Sequence, residues 1–183
     1  MTALLLVAAQ PAISDRAQCS IKRLDACETT NQLVWDKGFE RALRAFLGSR
    51  RTGYLYRGGR LADEAIAVLG GPPNERVEID GRYLFTACRA QSCTEKGAAV
   101  LSSTGEIDAV GILWYPCADP NRVSDDCPYR ARLTLFMRDP GDGKLIARLT
   151  GWVEAELAKY RPATLPPIRL ERVQIHRRPI PIR

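Results

Sequence analysis

The sequence predicts an α+β fold, an antiparallel β-sheet (a meander of about five strands) flanked by helices. Two observations predict it. Apolar residues recur at the helical period in residues 35–47, 60–71 and 144–160, but alternate at the strand period in 75–88 and 130–137. Turn residues then fall between the alternating runs at spacings that suit antiparallel neighbours. Runs of strands set apart from runs of helices belong to α+β architecture.

Each element follows from its own residues. "WDKGFERALRAFL" (35–47) places Trp35, Phe39, Leu43, Phe46 and Leu47 on one helical stripe, and Gly48 stops it. "TGYLYRGG" (52–59) reads as a short strand closed by glycines. "RLADEAIAVLGG" (60–71) reads as a second helix, ended by Gly70-Gly71 and Pro72-Pro73. "ERVEIDGRYLFTAC" (75–88) alternates about Asp80-Gly81, a strong hairpin signal. "GAAVLSSTGEIDAVGILWY" (97–115) gives two strands about a turn near Thr104-Gly105. "RARLTLFM" alternates Leu133, Leu135 and Met137, and "KLIARLTGWVEAELAKY" (144–160) reads as a helix weakened by Gly151. Trp35, Trp114 and Trp152 belong to the expected core.

The length of 183 residues suits one domain with ends. We expect a signal-peptide remnant at 1–12, a domain over 13–160, and a basic, proline-rich C-terminal arm at 161–183. "MTALLLVAAQPA" has the short apolar core and small residues of an export signal. No apolar run approaches the ~20 residues that a transmembrane segment needs. In the arm, Arg161, Arg169, Arg172, Arg177, Arg178 and Arg183 face one acid, Glu171, so most of the net +6 charge sits there. Its prolines argue against a helix, and Val173 and Ile175 suit a brief edge strand. A basic arm can touch anionic lipid or nucleic acid. The plainer reading is a solvated or packed arm, since no aromatic residue lies among these arginines after Tyr160.

Six cysteines fall into three close pairs, and the sequence alone does not choose among the pairings. Local bonds, Cys19–Cys27, Cys88–Cys93 and Cys117–Cys127, are the simplest expectation. Disulfides fit a periplasmic or secreted protein. No Cys-x-x-Cys occurs and the one histidine, His176, lies in the arm. That disfavours zinc and thioredoxin-like chemistry, and no metal or cofactor is expected. A serine triad also lacks its histidine. The acids at Asp63-Glu64, Glu106/Asp108, Asp125-Asp126 and Glu154/Glu156 read as solvated surface, so the chain is not expected to be an enzyme.

One short stretch stands out. "TACRAQSC" (86–93) puts four residues, Arg89, Ala90, Gln91 and Ser92, between Cys88 and Cys93 at the end of a strand. An upstream helix, "RGG", a strand ending in "TAC", this loop, and "AAVLSSTGEIDAVGILWY" follow in that order. The arrangement resembles the inhibitor of vertebrate lysozyme family, known as Ivy, over roughly residues 35–157. That family carries a Cys-Lys-Pro-His-Asp-Cys loop between two strands. The resemblance implies an Ivy-like fold and an exported inhibitor whose loop, Cys88–Cys93, enters the active cleft of a lysozyme. Cys88 and Cys93 match the flanking cysteines and Arg89 a basic position. Ala90 stands for proline, Gln91 for the contacting histidine and Ser92 for aspartate. The expected partner is a lysozyme or bacterial lytic muramidase. Nucleic acid is not expected, and a homodimer is a candidate assembly. The alternative is an Ivy-fold envelope or binding protein that no longer inhibits c-type lysozyme.

Overall fold

The computed structural model describes residues 18–116, 130–159 and 168–177. The expected leader at 1–12 and the Cys117–Cys127 pair lie outside the described residues. Six strands form one sheet in the order β3-β4-β5-β6-β7-β8. They are β3 (Val77–Ile79), β4 (Arg82–Arg89), β5 (Ser92–Ser102), β6 (Ile107–Trp114), β7 (Arg130–Met137) and β8 (Arg169–Arg177). The first five pair as an antiparallel meander, so the expected α+β sheet is present. Asp80 and Gly81 make the β3–β4 turn with φ of 50° and 74°, the left-handed pair that a two-residue hairpin demands.

The sixth strand lies in the segment read from sequence as an arm. β8 runs parallel to β7, because α4 (Gly143–Lys159) carries the chain back along the sheet between them. It is a full strand rather than a brief one. His176, placed in that arm from sequence, is fixed on β8 with its ring stacked on Phe136, the centroids 5.4 Å apart.

Both sheet faces are covered, which explains why the middle strands read as near-continuous apolar runs. On one face, Phe85, Leu101, Val110, Ile112 and Phe136 are buried in one cluster with Phe39, Leu43, Leu61 and Leu69. Those last four come from α2 (Lys37–Leu47) and α3 (Leu61–Leu69). On the other face, Val100, Leu113, Leu133 and Leu135 are buried with Leu145, Leu149, Val153 and Leu157 of α4. α4 continues through Gly151, where an added Cβ would meet nothing within 4 Å, so the glycine costs helix propensity but no packing.

Trp35 departs from its expected core position: it is 75% exposed. The cause is Asp36, whose carboxylate accepts from Gly38 N and Phe39 N at 3.0 and 3.1 Å and so starts α2 at Lys37. Trp35 is left outside that helix, as the C-cap of α1 (Thr30–Val34). The same carboxylate accepts from Ile21 N at 2.7 Å, tying down the loop closed by Cys19–Cys27. Burial works to raise the Asp36 pKa. Bonds from the Ile21, Gly38 and Phe39 amides, with the Arg41 charge, outweigh it and hold the carboxyl below its usual range. A depressed carboxylate stabilises the fold above its unfolded-state pKa and loses that contribution as pH falls through the folded one. Asp36→Ala should therefore cost about 1 kcal/mol at neutral pH and less as the pH falls below the usual aspartate range, as urea unfolding at several pH values would measure.

The segment 52–59 is a loop and not the expected strand. Only Arg51–Thr52 (β1) and Gly59–Arg60 (β2) pair. Between them the chain wraps around Glu64 of α3, which is fully buried and not solvated as read from sequence. Asp108 also departs from that reading: its carboxylate meets Arg82 at 3.0 Å and Arg138 at 3.3 Å.

Candidate functional site

The hairpin between β4 and β5 is closed by the Cys88–Cys93 disulfide, with the two Cα atoms 4.7 Å apart. Arg89 pairs with Ser92, which leaves Ala90 and Gln91 as a two-residue turn. Both are exposed, and Gln91 adopts φ of 65°, a conformation that L residues with side chains rarely take. The ladder to β6 ends at Lys96↔Leu113. On the other side the last ties are the Pro73↔Ala87 bridge and Cys88 N donating to Pro72 O at 3.2 Å. The turn therefore stands beyond both of its strand neighbours.

Its base is held from three directions. Pairing jumps from Cys88↔Lys96 to Arg89↔Ser92, so Cys93, Thr94 and Glu95 bulge out of register. The bulge turns Glu95 inward, where it is fully buried. The Glu95 carboxylate accepts from Ser92 Oγ at 2.6 Å and Thr94 Oγ1 at 3.0 Å. From behind, Gly71 presses on the loop backbone. A Cβ there would fall 2.1 Å from Cys88 O and 2.5 Å from Ala90 N, so only glycine fits.

The third support is Arg89. Its side chain folds back and is only 18% exposed, so it adds no free charge at the turn. The guanidinium lies 5.3 Å from the Tyr56 ring centroid and 3.8 Å from Glu95 Oε1. Its buried Nη1 makes no hydrogen bond among the described residues. Arg89 thus joins the ring to the loop between β1 and β2.

That second loop is organised by Glu64. Thr52 Oγ1 donates to Oε2 at 2.6 Å, and the Tyr54 amide at 3.3 Å. Oε1 accepts from the Leu55 and Tyr56 amides at 3.3 and 3.0 Å. A loop fastened by one buried carboxylate holds Tyr56 at the surface, 44% exposed, beside the ring. Tyrosine in such a place is a common anchor at protein interfaces.

Of the six residues singled out by sequence, the structure exposes Ala90, Gln91 and Cys93 and turns Arg89 and Ser92 into supports. Sequence reasoning missed Tyr56, Glu64, Gly71 and Glu95. For Gly71 a signal existed, a doubled glycine before two prolines. For Glu95 and Glu64 none did, since a buried carboxylate looks like a surface one in sequence. The assembled site offers an amide at the tip of a rigid hairpin, with an aromatic ring next to it. Among the described residues, no group of three His, Cys, Asp or Glu side chains is placed to hold a metal ion. No described helix is long and apolar enough to cross a membrane. No protein-family model, no curated protein and no solved structure matches this chain.

Proposed function

We propose that this chain is an exported protein inhibitor of a peptidoglycan-cleaving glycosidase, a lysozyme or a bacterial lytic muramidase. The disulfide-closed hairpin 88–93 enters the active cleft of that enzyme. The observation that carries the proposal is the exposed Ala90–Gln91 turn, braced by Gly71, Glu95 and the disulfide and standing clear of the sheet. A hairpin held in one shape loses little entropy on docking. Gln91 presents an amide that donates two hydrogen bonds to a catalytic carboxylate. Arg89 and Ser92 position the turn and do not contact the target. The resemblance of the loop to the Ivy family supports the same reading, and the two described disulfides fit a periplasmic or secreted location. On this reading the chain performs no reaction of its own.

A second reading has its own support. Gln91 stands where the resembled family has histidine, and Arg89 is folded inward, so the tip carries no cation. A neutral tip forgoes the charge-assisted bonds that a carboxylate target rewards. Under this reading the protein binds an envelope partner and spares c-type lysozyme.

Inhibition constants against c-type, g-type and bacterial lytic muramidases test both readings. Gln91→Ala should weaken inhibition roughly 5- to 150-fold, the equivalent of about 1–3 kcal/mol. Gln91→His should strengthen inhibition of c-type lysozyme. The double change Cys88→Ser, Cys93→Ser should weaken it while the fold persists. Constants that stay the same in all three variants would leave the ring as a staple only.

A further inference from the structure

Resting on the muramidase reading above, we infer that the target carries an acidic rim around the pocket that receives the Ala90–Gln91 turn. The segment 50–60 holds Arg50, Arg51, Arg57 and Arg60 and no acidic residue. All four arginines are exposed. Arg51 and Arg60 sit directly opposite each other on β1 and β2. Like charges so placed destabilise a strand pair. Nothing within the described residues relieves them, since none of the four arginines forms an ion pair there. Arg51 donates instead to the Gly58 carbonyl at 2.7 Å. The neighbouring acids are already engaged. Asp63 meets Arg44 at 2.7 Å, and Glu64 faces inward to Thr52 and the loop amides.

This basic segment borders the ring. Arg57 follows Tyr56, and the Tyr56 ring lies under the Arg89 guanidinium. The positive field also continues across the same end of the sheet. The register Lys96↔Leu113, Trp114↔Arg132 and Arg132↔Arg172 leads from the ring to a second facing arginine pair, with Arg130↔Arg169 as a third. Glu171 is shared there between Arg130, at 3.8 Å, and Arg132, at 3.4 Å. A hairpin tip with a cationic collar is repelled by a cationic cleft and drawn to an acidic one. The effect falls mainly on the association rate.

The test measures association and dissociation rates against two muramidases of opposite net charge, at about 20 and 300 mM NaCl. With the net-negative enzyme, added salt should slow association at least about tenfold. Arg57→Glu with Arg60→Glu should slow it about tenfold at low salt, while dissociation changes less than about twofold. Arg57→Gln with Arg60→Gln should fall between, which separates charge from a folding defect. Association that ignores salt and the charge reversal, or that is as fast with the net-positive enzyme, overturns the inference. If Gln91→Ala still weakens inhibition in that case, the plug reading stands and only the acidic rim falls. If Gln91→Ala and ring opening also change nothing, the plug reading falls and takes the acidic rim with it.

Discussion

Glu64→Ala should lower the free energy of unfolding by about 3 kcal/mol or more, the largest effect expected from any one polar side chain described here. The carboxylate is fully buried and satisfies the Thr52 hydroxyl and three backbone amides. Removing it strands four donors, the Leu55 amide in a fully buried bond and the other three in part-buried ones, and each donor stranded out of reach of water costs about 1–3 kcal/mol unless the loop opens to solvent. Opening is the cheaper response, so the total should stay well below the sum. The loop from Gly53 to Gly58 then loses its shape, and Tyr56 leaves its place beneath Arg89. Urea unfolding measures the loss. Hydrogen exchange should localise it to the Tyr54, Leu55 and Tyr56 amides. Glu64→Gln keeps the volume and one acceptor and should cost less. Amides that remain protected in Glu64→Ala would show that the loop is held by other means.

Gly71→Ala should damage the ring without replacing any residue of the turn. The new methyl would fall 2.1 Å from Cys88 O, 2.5 Å from Ala90 N and 2.7 Å from Arg89 C. All three are backbone atoms, so no side chain can swing aside. Overpacking of this kind costs about 1–3 kcal/mol, and here the strain is relieved by moving the hairpin that bears Gln91. Inhibition should therefore fall more than about tenfold, beyond any loss of stability. Gly53→Ala is the matched control, because nothing lies within 4 Å of its added Cβ. Equal inhibition by the two variants would mean that the ring keeps its shape without the Gly71 contact.

The meander could be read from sequence because its determinants are local. Asp80-Gly81 fixes one hairpin, and alternation fixes which side chains enter which core. The Cys88–Cys93 bond is one of the local pairings that close spacing made the simplest expectation, although spacing alone did not choose it. What escaped depends on partners distant in the chain. Tyr54, Leu55 and Tyr56 imitate a strand, yet their amides belong to a carboxylate on the following helix. β8 was obscured by its own arginines and by the prolines that flank it in sequence, because parallel pairing to β7 depends on the helix between them and leaves no local turn signal. Arg89 looked like a projecting charge, and only the bulge that buries Glu95 shows why it turns inward. Trp35 is a different case, since an aspartate just ahead of a helical stripe is itself a start signal.

The order of strands in the sheet also bears on how the chain assembles. From β3 to β7 every strand pairs with its neighbour in sequence. Adjacent pairings close short loops and form quickly, whereas pairing across an intervening helix is slower. A chain emerging from its N-terminus can complete the meander, and with it the hairpin that bears Gln91, before β8 has been delivered. Until α4 folds back and β8 docks, β7 is an open edge carrying Leu133 and Leu135, the stage at which the protein is most exposed to pairing with another chain. The last strand to arrive closes that edge with one bearing Arg169, Arg172 and Arg177, which a second copy of the sheet meets as repulsion.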